Sequence, residues 1–110
     1  MALAGCGARP NAITIGSKNF TEQLLLGELL AQVVAARAAA PVARRFYLAG
    51  SYICHQALLA GRIDAYVEYT GTALTAILKQ APQSDSGRVF DLVRDEYRRR
   101  FNLRVLPSLG

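Results

Sequence analysis

The sequence has one histidine and two cysteines in 110 residues, and this scarcity removes most side-chain chemistry. His55 stands beside Cys54 on a predicted helix, where neighbours in sequence do not face each other. No Cys–His nucleophile pair is therefore expected, and His55 reads as a surface or packed histidine. No cluster of His, Cys, Asp and Glu has metal-site spacing. Two cysteines do not build a disulfide framework, and Cys54, within an apolar helical pattern, reads as a buried structural thiol. Gly16 to Gln23 lacks the repeated glycines of a phosphate loop. No apolar run reaches the roughly 18 residues of a membrane span; Glu28, Gln32 and Arg37 interrupt the richest stretch, Leu24 to Ala40. No catalytic set, metal or cofactor is expected.

An apolar fraction of 52% against 19% charged residues fits a folded core and argues against disorder. The formal charge of +5 raises nucleic-acid binding as one explanation. However, Arg98, Arg99 and Arg100 share a predicted helix with Asp91, Asp95 and Glu96. Pairs three or four positions apart account for that charge as a solvated helix face. No aromatic residues interleave with the arginines as a stacking platform requires, so no nucleic-acid partner is expected.

Residues 1–12 read as a leader and 13–110 as a folded unit. Ile13 to Ile15 is a β-branched strand ended by Gly16. Asn19 and Glu22 have capping-box spacing before a helix from about Phe20 to Ala39, whose apolar residues cover most of its surface. Arg45 to Leu48 reads as a second strand, and Ser51 as the N-cap of a helix that Gly61 ends in a left-handed conformation. Ile63 to Tyr69 reads as a third strand, followed by a short helix, Ala73 to Lys79. Ser84 or Asp85 caps a last helix with Val89, Phe90, Val93, Tyr97 and Phe101 at helical spacing. Arg104 to Leu106 starts a further strand. The order β-α-β-α-β-α-α-β implies an α/β fold with a parallel sheet flanked by helices.

In such a sheet, ligands bind outside the carboxyl ends of the strands. Three turns are expected there: Ser17 to Gln23, Gly50-Ser51, and Glu68 to Thr72. The first offers backbone N–H groups at a helix start, a seat for an anion. Gln23 either adds an amide donor or is a polar surface position. Tyr69 either packs with its hydroxyl satisfied or presents a ring to a quaternary ammonium, worth ~0.5–2 kcal/mol. Gly71 reads as a positive φ or a close backbone approach. Asp64 and Glu68 read as sheet-end or cap-forming residues without a chemical role.

Ile15 to Gln23 with Leu26-Gly27-Glu28, and the long segment Ala57 to Leu74, resemble the osmoprotectant substrate-binding proteins of ABC importers. Leu106 to Gly110 resembles the point where that family's chain prepares to enter a second lobe. The resemblance spans roughly Ile13 to Gly110. It implies the first lobe of a type II periplasmic binding protein-like fold, truncated before the second lobe, and not an enzyme. It implies a quaternary-ammonium ligand of the glycine betaine, choline and carnitine class. It also implies two partners, the membrane permease subunits and the missing second lobe. By motif position, Gln23 would contact the ligand's polar end, Tyr69 would form one wall of an aromatic box, and Thr72 would add a hydroxyl. Lys18, Phe20 and Thr70 are adjacent candidates.

Two departures stand out. Ala49 and Ser51 replace a Gly and a Thr often seen in the family, and the second lobe's aromatic walls are missing. One ring at ~0.5–2 kcal/mol does not make a selective box. Leu3-Ala4-Gly5-Cys6 resembles a lipoprotein lipobox, with lipid attached at Cys6. It lacks the basic and apolar signal regions, so the native start is expected upstream, and the protein in the periplasm or cell envelope. An effector-binding or sensory domain on the same fold is the alternative reading. A small nucleic-acid-binding protein, testable by salt-dependent retention on DNA, is a third class.

Overall fold

The computed structural model describes residues 12–109. The leader expectation, including lipidation at Cys6, lies outside them save for Ala12. The chain divides into two compact units, Met1–Val67 and Glu68–Gly110.

In the first unit, strand β1 (Ile13–Gly16) pairs in parallel with β2 (Val42–Arg45), Ile13 opposite Val42 and Gly16 opposite Arg45. The β-branched run of β1 suits a pleated, half-buried surface, and Ile15 is fully buried. The second strand thus lies earlier than the Arg45 to Leu48 expectation. The reason is Tyr47, whose φ of 63° interrupts extended backbone there. The third strand expected over Ile63 to Tyr69 reduces to one parallel bridge, Ile15 to Ala65. Gly16 N–H donates to the Ala65 carbonyl at 2.9 Å and Asp64 N–H to the Thr14 carbonyl at 2.7 Å. The Thr14 N–H goes to the Asp64 carboxylate at 2.8 Å. A side chain thereby takes a donor that a regular ladder would pair with backbone, and the strand does not extend.

Helix α1 (Thr21–Arg37) begins after Phe20, which is extended and makes no side-chain cap hydrogen bond. The expected capping box does not form, because the helix starts a residue too late for Asn19 to occupy the cap. Its buried line is Gln23, Gly27 and Ala31. The contact line is narrow: a Cβ on Gly27 would lie 3.0 Å from Phe46 Cε1. Leu25, Leu29 and Val33, at i, i+4 and i+8, are 60%, 52% and 53% exposed, so this apolar helix does not bury most of its surface.

Helix α2 (Ser51–Leu59) has Gly50, not Ser51, at its N-cap. Its end follows expectation. Gly61 takes φ 74°, its N–H donates to the Leu58 carbonyl at 3.1 Å, and Arg62 N–H donates to Ala57 at 2.9 Å. These are the two bonds of a Schellman ending. Cys54 and His55 are both buried.

In the second unit, one helical turn, α3 (Thr70–Thr72), runs into a wider π-helical turn, Ala73–Ile77. The wide turn is closed by Leu78 N–H donating to the Ala73 carbonyl at 2.9 Å. Gly71 has neither a positive φ nor a close neighbour, contrary to both expectations for it. Helix α4 (Ser86–Phe101) is capped by Asp85, whose carboxylate accepts from Arg88 N–H at 3.1 Å, and ends at Asn102 in a left-handed conformation. Its Val89, Val93 and Tyr97 pack with Ala73, Leu74, Ile77 and Leu78 as the unit's core. Tyr97 meets Phe101 edge-on at 5.4 Å. The strand expected over Arg104 to Leu106 is absent; that segment is irregular. Arg94 pairs with Asp91 and Asp95, and Arg99 with Glu96; Asp95 thus pairs with its neighbour Arg94 rather than with the expected Arg98 or Arg99.

Candidate ligand-binding turns

The turn after β1 is the most tightly built polar feature of the first unit. Ser17, Lys18 and Gln23 are buried. The Ser17 hydroxyl accepts from Tyr47 N–H at 3.0 Å and donates to the Lys18 carbonyl at 3.1 Å. The Ser17 carbonyl accepts from Leu48 N–H at 2.9 Å. One serine thus fastens the turns at the carboxyl ends of β1 and β2 to each other. Gln23 Oε1 accepts from Lys18 N–H at 3.2 Å, and its Nε2 donates to the Val67 carbonyl at 2.9 Å. Gln23 is therefore no surface position. Its amide braces the β1 turn against the segment following Ala65.

Lys18 carries its ammonium inward. Nζ donates to Ser51 Oγ at 3.1 Å, at the start of α2, and lies 5.6 Å from the centroid of the Phe20 ring. The ring spreads the attraction over a face, and the hydroxyl accepts one hydrogen bond. Phe20 itself is 43% exposed. The sequence did not single out Ser17, Ser51 or Tyr47 for these contacts. Nothing in residue type alone distinguishes a serine that ties two turns from one that caps a helix.

The second unit holds the other predicted residues. Tyr69 is half-buried; its N–H donates to Glu68 Oε1 at 2.9 Å and its carbonyl accepts from Ala73 N–H at 2.9 Å. Thr70 and Thr72 are half-buried in the first helical turn. Burial, reinforced by the negative charge of Glu68, pushes the Tyr97 phenol well above its usual range. Glu68 thus acts on the unit's electrostatics as well as holding a backbone N–H. A groove of about 390 Å³ in the first unit is lined by Arg45, Leu48, Ile53, Gln56, Ala57 and Ile63 among others. None of the predicted site residues lines it.

Residues 11–110 match the family of substrate-binding domains of ABC-type glycine betaine transport systems. The chain belongs to that family. This is a family of transporter binding domains and not of enzymes. Over 99 residues the chain is 32% identical to the ergothioneine transport permease/ergothioneine binding protein EgtU of Helicobacter pylori (strain G27), covering 89% of this chain and 17% of that protein. A glycine betaine/carnitine/choline ABC transporter structure superposes with a TM-score of 0.78 at 25% identity, covering 93% of this chain and 38% of the other. Apo YehZ from Escherichia coli superposes with a TM-score of 0.75 at 23% identity, covering 84% and 33%. The α/β fold with parallel strands and flanking helices is thus shared with solved binding proteins. The chain spans well under half the length of each of these proteins.

Proposed function

We propose that this chain is the first-lobe portion of the substrate-binding component of an ABC importer for quaternary-ammonium osmoprotectants. The observation that carries the reading is the match of residues 11–110 to the glycine betaine binding-domain family, joined by the likeness to a glycine betaine/carnitine/choline transporter structure. The reading treats the chain as a binding module without enzymatic activity. Its partners are a small quaternary amine, permease subunits in the membrane, and a second lobe of the same protein. Its place is the periplasm or cell envelope, with Cys6 as lipid anchor if the native start lies upstream. Among the described residues, no helix is long and apolar enough to cross a membrane.

Gln23, Tyr69 and Thr72 are the proposed ligand contacts, with Lys18, Phe20 and Thr70 beside them in sequence. A trimethylammonium group has no N–H to donate, so an aromatic face is its natural counterpart. Ligands with a carboxylate at the other end suit polar donors in the β1 turn. Glycine betaine and ergothioneine both carry that pair of groups, which makes zwitterionic betaines the favoured ligands. The test is calorimetric titration of glycine betaine, choline and ergothioneine into the natural full-length protein. Saturable binding of at least one is expected; binding of none, with ordinary amino acids or sugars bound instead, would overturn the reading.

A further inference from the structure

Three non-glycine residues among those described have positive φ: Tyr47, Lys79 and Asn102. Lys79 directly follows Leu78, the C-cap of the π-helical turn, and Asn102 is the C-cap of α4, where left-handed backbone is a routine way to stop a helix. Tyr47 ends no helix. It sits in the turn after β2, and a bulky aromatic residue is among the worst tenants of that conformation. Its backbone is over-determined: Tyr47 N–H donates to Ser17 Oγ at 3.0 Å, the next N–H, of Leu48, donates to the Ser17 carbonyl at 2.9 Å, and Ser17 is fully buried.

The strain does not carry the side chain into the core. Tyr47 is 67% exposed, and its hydroxyl makes no hydrogen bond and its ring no aromatic contact among the described residues. Asparagine would fit the backbone better at the loss of only the covered minority of the ring. Backbone strain retained around a mostly exposed aromatic ring is the pattern of a recognition residue rather than a core residue. Its position agrees. Ser17 ties Tyr47 to the β1 turn that carries Lys18 and Gln23, at the carboxyl ends of two parallel strands, where this class of sheet takes ligands. Phe20 and Tyr52, 43% and 62% exposed, belong to the starts of the two helices at the same strand ends.

We infer that Tyr47 is an aromatic contact of the first unit for the ligand's quaternary ammonium, held in place by Ser17. The inference rests on the reading under Proposed function. Ser17 is the positioning residue; the Tyr47 ring makes the contact.

The experiment compares Tyr47→Asn, Tyr47→Phe and Tyr69→Ala in the natural full-length protein, titrated with glycine betaine and melted in parallel. Tyr47→Asn is expected to keep or raise the melting temperature, since Asn accepts left-handed backbone. It is expected to weaken binding about twofold to thirtyfold, the loss of one cation–π face. Tyr47→Phe keeps the ring face and should stay within about twofold of wild type. If Tyr69→Ala weakens binding but Tyr47→Asn does not, the Tyr47 inference falls and the transport reading stands. A lower melting temperature for Tyr47→Asn with unchanged affinity would make Tyr47 structural and overturn it equally. If the wild type binds no quaternary ammonium at all, both fall together.

Discussion

Gln23 donates from Nε2 to the carbonyl of Val67 at 2.9 Å while its Oε1 accepts from the backbone N–H of Lys18 at 3.2 Å, with none of its surface exposed. One buried amide therefore joins the turn after β1 to the chain two residues beyond Ala65. Gln23→Leu, of similar size, would orphan both backbone groups. The expected loss is about 1–3 kcal/mol for each orphaned group, read as a lower urea midpoint with an unchanged slope.

Glu28 and Arg44 form a two-bond ion pair at 2.8 and 2.9 Å. The Arg44 hydrogen bonds, then that of Gln32, hold the Glu28 carboxyl down at about 2. A carboxylate depressed in the folded state contributes stability above its unfolded pKa, and that contribution is lost as pH falls through the folded value. Wild type should therefore melt higher than Glu28→Gln at pH 6. The gap should close between about pH 4.5 and pH 2, and at pH 6 it should shrink in 1 M salt because the pair is exposed. Melting curves across that range check it.

Gly61→Ala is expected to cost about 1–2 kcal/mol, the left-handed penalty for a residue with Cβ. No heavy atom lies within 4 Å of the added carbon, so the cost is conformational. Gly50→Ala is the control. Gly50 also has open space around it but a φ of −79°, so its substitution carries no left-handed penalty and should cost less than Gly61→Ala, only the poorer N-cap preference of Ala at the start of α2.

Asp85→Ala should lower stability by about 1 kcal/mol through loss of the N-cap bond to Arg88, while Asp85→Asn or Asp85→Ser should restore most of it. Chemical denaturation of the three variants decides this. A result in which Asn and Ala are equivalent would mean that the cap contributes nothing beyond its charge at the helix start.

Much of the fold was legible because it rests on local rules. Ile13 to Ile15, the Gly61 stop, the Asp85 cap and the Val89–Val93–Tyr97 stripe each carry their signal within a few residues. The second strand was displaced because Tyr47 looks like a strand former, and only its tie to Ser17, 30 residues away, forces the left-handed turn. The third strand failed because Asp64 spends its carboxylate on Thr14, a contact 50 residues apart. The exposed Leu25–Leu29–Val33 face was missed because apolar content does not say which side of a helix is covered. At the candidate site, Gln23 and Lys18 stood out as polar residues in a ligand-facing turn. Their burial, and the part played by Ser17, depend on how two distant turns meet.

The measurement closest to the central claim is glycine betaine affinity of the natural full-length protein with and without Tyr69→Ala. The account predicts saturable binding that weakens about twofold to thirtyfold on loss of the ring and largely survives Tyr69→Phe. Binding indifferent to Tyr69→Ala, or no binding to glycine betaine, choline or ergothioneine, would contradict it.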